Sequence, residues 1–224
     1  MNSAMNAGYL SMGLTLIFFI LFSTGWKELI AERIPMPYLT LIASGCILLA
    51  PFSLSFDRWM NGHGSMSIQL SVCWLTAWAI VGMLFYRQEG TLQRVYVLFA
   101  SLLAAMMGGW LRILYLNDPV LIFYHVTLDA AFMTGISAVL MAPASSPLRL
   151  IVVTFASVLQ PILVGWLRPG HPMDGIRIGS LTWWDSYLLA LCTTCVLGLL
   201  FRTMRVAAEK WRLRFAGSGG GEES

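Results

Sequence analysis

Three ionisable residues stand inside apolar stretches of this sequence: Arg112, His125 and Asp129. A charge within a membrane helix costs several kcal/mol or more, so such groups are functional candidates by default. His125 and Asp129 are four residues apart, which puts both on one face of a helix. A histidine titrates near neutral pH and can relay or sense protons. Arg112 precedes them across the turn Asn117-Asp118-Pro119, so the two flanking helices are expected to form an antiparallel hairpin. Side chains tilt toward the N-terminus of their own helix, which turns Arg112 and Asp129 toward each other. The expectation is an Arg112–Asp129 contact with His125 near its outer end. The same pair reads equally as a buried ion pair that fixes helix register, and His125 as a hydrogen-bonded polar residue facing the bundle. Ser101, Ala105 and Gly109 form a small-residue stripe leading to Arg112, of the kind that lets helices approach closely.

A second set of polar residues falls in or beside the outer connections: His63, Asp118, His171, Asp174, Arg177 and Asp185. Of these, His171, Asp174 and Arg177 with His63 could form a metal or anion site, but two histidines and one carboxylate from separate loops lack a ligand spacing such as HExxH, and a solvated loop is the better reading. Cys192 and Cys195 form a CxxC inside an apolar run, where a thiolate is disfavoured and packing is the better reading. Gln160-Pro161 sits within another run, where proline frees a carbonyl and kinks a helix. No P-loop, dinucleotide fingerprint, serine triad or zincin motif occurs. No catalytic residue, metal or cofactor is therefore assigned, and no nucleic-acid partner is expected.

The elements that carry these residues follow from composition. Of 224 residues 58% are hydrophobic and 11% charged, and mean hydropathy is +0.73. Soluble domains carry about 25% charged residues, so the expected solvent is lipid. Seven apolar runs are predicted as transmembrane helices: 8–26, 37–56, 66–86, 95–116, 120–141, 148–167 and 181–201. They are long and lack period-two alternation, which favours an all-α bundle over a barrel. Asn61-Gly62-His63-Gly64, Asn117-Asp118-Pro119, Pro143 to Pro147 and Arg168-Pro169-Gly170 punctuate them.

Charge sets the expected orientation. Lys27, Arg33, Arg87, Arg94 and Arg149 share one side with the tail residues Arg202, Arg205, Lys210, Arg212 and Arg214; Arg58, Arg168 and Arg177 take the other. The positive-inside rule puts the C-terminus in the cytoplasm and, with seven spans, the N-terminus outside. No Lys or Arg precedes Lys27, so the start lacks the basic region of a cleavable signal. Residues 202–224 form a basic, then Gly-rich cytoplasmic tail. Its basic part reads as a stop-transfer flank or as a segment lying on anionic lipid.

The sequence also echoes itself. Gly109-Trp110-Leu111-Arg112 recurs 56 residues later as Gly165-Trp166-Leu167-Arg168, with Asp118 matched to Asp174, Ile122 to Ile178 and Asp129 to Asp185. The echo reads either as two parallel helix-pair repeats, as some transporters contain, or as reuse of an interfacial Gly-Trp. The first run and its flanks, Asn6-Ala7-Gly8-Tyr9-Leu10 through Ser23-Thr24-Gly25-Trp26-Lys27-Glu28, resemble the start of YphA-type multispanning membrane proteins of endospore-forming Bacillota. The resemblance implies a bacterial cytoplasmic or forespore membrane and a sporulation link, and it transfers no catalytic residue. Three functions follow as expectations: a non-enzymatic factor in membrane or envelope assembly, working with the bilayer and membrane-protein partners; a small transporter or proton-coupled carrier using Arg112, His125 and Asp129; and an intramembrane enzyme acting on lipid-linked substrates.

Overall fold

The structure is a computed structural model that describes residues 6–25, 35–55, 66–85, 91–142, 146–167 and 176–218. Seven α-helices occur among these residues: α1 (Tyr9–Ser23), α2 (Met36–Leu49), α3 (Leu70–Phe85), α4 (Thr91–Asn117), α5 (Val126–Met141), α6 (Ser146–Leu167) and α7 (Leu181–Ser218). Three of them are long and apolar enough to cross a membrane, within Thr91–Asn117, Pro147–Leu167 and Leu181–Arg212. The other four are apolar but have only 14 to 16 residues. At 1.5 Å per residue they reach about 21–24 Å, short of a hydrocarbon core of about 30 Å. Among the described residues, three full-length helical spans therefore stand where seven were expected.

The missing turns have physical causes. The end of the second predicted span becomes strand β1 (Ser53–Ser55), and the start of the third becomes β2 (Met66–Gln69). β2 pairs antiparallel with β1 and parallel with β3 (Ile176–Ile178), a small three-stranded sheet at the edge of what is otherwise the expected all-α fold. All three strands alternate polar and apolar residues, the period-two signal of a strand. The predicted start of the fifth span is a single 3-10 turn at Pro119–Leu121, followed by non-helical backbone that bends at Phe123 and Tyr124 before His125. Pro119 supplies no N–H and suits only the first turn of a helix. At the other end α7 does not stop near Phe201 but continues to Ser218, 38 residues or about 57 Å.

Small residues set the core. α4 buries Ala100, Ser101, Ala104, Ala105, Gly108 and Gly109. Helices α5 and α6 pack against this face. A Cβ on Gly108 would collide with the Thr134 hydroxyl and lie 3.0 Å from the Ala130 carbonyl, so glycine sets the α4–α5 separation. In contrast, α1 and α2 bury no residue, and Met12, Leu16, Phe19, Ile47 and Leu48 are all exposed. α1 rests on α7 and α2 on α3.

One pole gathers one end of every helix. Asp185 near the start of α7 binds the start of α1. The sheet joins the end of α2, the start of α3 and the start of α7. The Asn117–His125 connection joins the end of α4 to the start of α5. Gly179, at φ +94°, turns β3 into α7; a Cβ there would lie 2.6 Å from that of Gln69. Only glycine adopts that conformation routinely.

Candidate functional site

A partly open cavity of about 160 Å³ lies at this pole. The last turns of α4 give it Arg112, and the start of α5 gives Thr127, Ala130 and Ala131. The second half of α6 contributes Ser157, Gln160, Pro161, Val164 and Gly165. β3 contributes Ile176 and Arg177, and the following turn and α7 add Ser180, Thr182, Trp183, Ser186, Tyr187 and Ala190. Two guanidinium-bearing residues, hydroxyls from four segments and one amide therefore face a common space. None of these lining residues is an aspartate, glutamate, histidine or cysteine.

The wall is built around Pro161. In a regular helix residue 161 would donate its N–H to the carbonyl of Ser157, and proline has none. The Trp183 indole Nε1–H donates to that carbonyl instead, at 3.0 Å. The kink expected at Gln160-Pro161 is thus turned into a bond between α6 and α7, and the freed carbonyl is engaged. Trp183 also stacks on Tyr187 with ring centroids 5.3 Å apart, and the Tyr187 hydroxyl lies 3.2 Å from that of Thr154 on α6. Trp184 packs edge-on against both rings and donates weakly to Gln69 of β2 at 3.4 Å. Gln160 is buried and accepts a long 3.5 Å contact from Thr134.

The cavity takes in some of the residues singled out in the sequence. Arg112 and Arg177 line the cavity; Asp129, His125, Asp118 and Asp185 do not. Asp129 sits in the first turn of α5 and accepts from the backbone N–H groups of Phe123 and Tyr124, both at 3.1 Å. Its carboxylate ties the bend at Phe123 and Tyr124 to the start of the helix. His125 is the residue before α5, in extended backbone, so it does not share a helical face with Asp129 as the spacing suggested. It is exposed, and its Nδ1 lies 2.7 Å from the Thr127 hydroxyl. Asp118 is exposed and accepts from the Val120 N–H at 3.2 Å, capping the 3-10 turn.

Asp185 is not an exposed outer-face group. It is only 5% exposed, and its two carboxylate oxygens accept from Gly8 N–H at 2.7 Å and Ser11 N–H at 2.6 Å. A carboxylate from α7 therefore caps α1, where orphan amides and the helix dipole favour negative charge. No side-chain pattern marks this pairing, because the partners are backbone groups 174 and 177 residues away. His63, His171 and Asp174 lie outside the described residues. Among the described residues no three His, Cys, Asp or Glu side chains gather as a metal site would require. Cys192 and Cys195 are free thiols along α7, half-buried. Arg202, Arg205, Lys210 and Arg212 are exposed on the continuation of α7, and Arg214 follows on the same helix.

No family model, curated protein or solved structure matches this chain.

Proposed function

We propose that this chain is a seven-pass bacterial membrane protein, N-terminus outside, whose outward cavity binds a small polar ligand without chemical turnover. The observation that carries the reading is the cavity itself, at the pole that also holds the three-stranded sheet and the Asp185 contact with α1. An extended end can complete the pass of a short helix, as it does for α3. β2 adds about 13 Å to the roughly 24 Å of α3, enough to cross the hydrocarbon core. Extended backbone is tolerated at such depth where it is paired or faces a cavity, and β2 is paired on both edges. The exposed apolar faces of α1 and α2 then face lipid.

The basic run from Arg202 to Arg212 forms the cytoplasmic flank, leaving the cavity pole outside. The described lining holds no carboxylate, imidazole or thiol for acid–base or nucleophilic work, which favours binding over catalysis. A ligand-holding role in membrane or envelope assembly, in the sporulation setting that the YphA resemblance implies, follows from that. A carrier is the second reading, favoured by the Pro161 break and by the depth to which Gln160 and Ala190 line the cavity.

Labelling tests the reading. Ser186 lines the cavity and donates to the Thr182 carbonyl, at 3.0 Å. In a background free of the native cysteines, Ser186→Cys is expected to react from outside intact cells with a membrane-impermeant maleimide, while a cysteine at Arg205 reacts only after permeabilisation. Labelling of Cys at 205 from outside would overturn the orientation. A cysteine at 186 that never reacts would remove the open cavity.

A further inference from the structure

The face of α7 that packs into the bundle does not end where the bundle does. Tyr187, Ala190, Thr194 and Leu197 succeed one another at steps of three and four, which puts them on one side of the helix. The first three are buried, and the Thr194 hydroxyl donates to the Gly135 carbonyl of α5 at 3.2 Å. The same steps continue through Phe201, Met204, Ala208 and Trp211. α5 ends at Met141, six residues after Gly135, whereas α7 runs on for 24 residues after Thr194. From Phe201 to Arg212 every residue is exposed.

On the spanning reading proposed above, the helix carries this stripe away from the membrane. Residues 181–201 alone cover about 31 Å, the thickness of a hydrocarbon core. Arg212 stands about 16 Å further along the helix, beyond a headgroup layer of about 5–7 Å. No proline or glycine lies between Gly198 and Gly217 to bend α7 back onto the lipid surface. Charge then says what fits the stripe. Residues 201–212 hold Arg202, Arg205, Lys210 and Arg212 against the single acid Glu209. Arg205 and Arg212 directly follow Met204 and Trp211, so both flank one edge of the stripe, where charges select the partner in helix–helix contacts. Two copies of this face would bring an excess of like charge together, and an acidic helix brings the opposite sign.

We propose that the stripe from Phe201 to Trp211 is a docking face for an acidic amphipathic helix of a cytoplasmic partner, with its apolar residues on the stripe and its carboxylates against Arg205 and Arg212.

The test uses the full chain in phosphatidylcholine nanodiscs and a fluorescent synthetic helix with leucine at the heptad positions and glutamate beside them. This peptide is expected to bind, and a scrambled peptide of the same composition and charge to bind about tenfold more weakly. Met204→Glu and Arg205→Glu change exposed residues, so both are expected to keep the wild-type helical circular dichroism and to weaken binding about tenfold. Equal binding of the two peptides, or unchanged binding by Met204→Glu, overturns the docking face, because charge alone then accounts for it. A fluorophore on Met204→Cys, in a background free of the native cysteines, reports the other occupants. A blue shift on adding phosphatidylglycerol without peptide overturns the proposal in favour of the lipid surface. Oxidative cross-linking of Met204→Cys between copies overturns it in favour of a second copy. Labelling of Arg205→Cys from outside intact cells would overturn the orientation, and with it the cytoplasmic partner. Lost peptide binding with labelling only after permeabilisation removes the docking face and leaves the orientation standing.

Discussion

The α4–α5 and α6–α7 pairs carry the same short string at the same offset, yet they solve their local problems differently. Each second helix has an aspartate near its start, and each aspartate accepts two backbone N–H bonds. Asp129 serves residues five and six positions before it, in an exposed segment. Asp185 is buried and serves a helix from the far end of the chain. The difference lies in the third element: α1 rests on α7. A repeated sequence feature therefore fixes what a residue can bond, and the neighbouring element decides which bond it makes.

Replacing the two aspartates by alanine measures that difference. Asp185→Ala removes a buried carboxylate and leaves two amides at the start of α1 without their acceptor. The expected loss is about 3 kcal/mol, from two charge-assisted bonds in a partly buried setting. Since α1 buries no side chain, it should detach before the rest unfolds, read as early proteolysis within α1 while α4–α7 stay protected. A cooperative loss of all helices together would show that Asp185 holds the core instead. Gly108→Ala comes next, at about 2 kcal/mol, because the added methyl meets Thr134 and the Ala130 carbonyl at the tightest α4–α5 approach. Denaturant unfolding in detergent would check it, and an unchanged midpoint would mean the hairpin separates at little cost. Asp129→Ala should cost about 1 kcal/mol, in the range of an exposed helix cap. The Arg112–Asp129 pairing expected from the sequence is probed in the same series. Arg112→Gln with Asp129→Asn should lose less than the sum of the two single changes if the charges couple, and the sum itself if they do not.

The sequence made some of this legible and hid the rest for identifiable reasons. Continuous apolar runs announced the helices, and the Ser101, Ala105, Gly109 stripe is buried as its spacing implied. The helix ends were misjudged because apolar residues continue into β1 and β2, where the alternation in Ser53-Leu54-Ser55 and Met66-Ser67-Ile68-Gln69 was the available signal. Arg112 and Arg177 stood out as charges. Their shared cavity did not, because its hydroxyls are spread over α5, α6, the Gly179–Ser180 turn and α7. The i, i+4 pair Thr182 and Ser186 and the i, i+3 pair Ser157 and Gln160 do each mark one polar helix face. His125 misled because helical spacing was assumed up to Pro119, whereas the helix starts only after it.

A last contrast separates the two pairs at the level of one hydrogen bond. At the offset of 56 residues Ser101 matches Ser157, but Ala105 stands where α6 has Pro161, and Thr127 where α7 has Trp183. Alanine at 105 keeps its amide, so α4 frees no carbonyl at this level and needs no donor from α5. Proline at 161 frees the Ser157 carbonyl, and the indole of Trp183 fills the vacancy at 3.0 Å. Trp183→Phe should therefore cost about 1 kcal/mol beyond the change of ring, since a buried acceptor loses its donor. Pro161→Ala returns a helical N–H to that carbonyl. In that background the hydrogen-bond part of the Trp183→Phe cost should vanish, leaving a coupling of about 1 kcal/mol in a double-mutant cycle read by denaturant unfolding. Equal costs in both backgrounds would mean that Trp183 acts only through its stacking on Tyr187. Thr127→Val is the control from the other pair. Among the described residues its hydroxyl bonds exposed His125, so its effect should stay below about 0.5 kcal/mol. The proline and the tryptophan thus act as one device, present in the second pair and absent from the first.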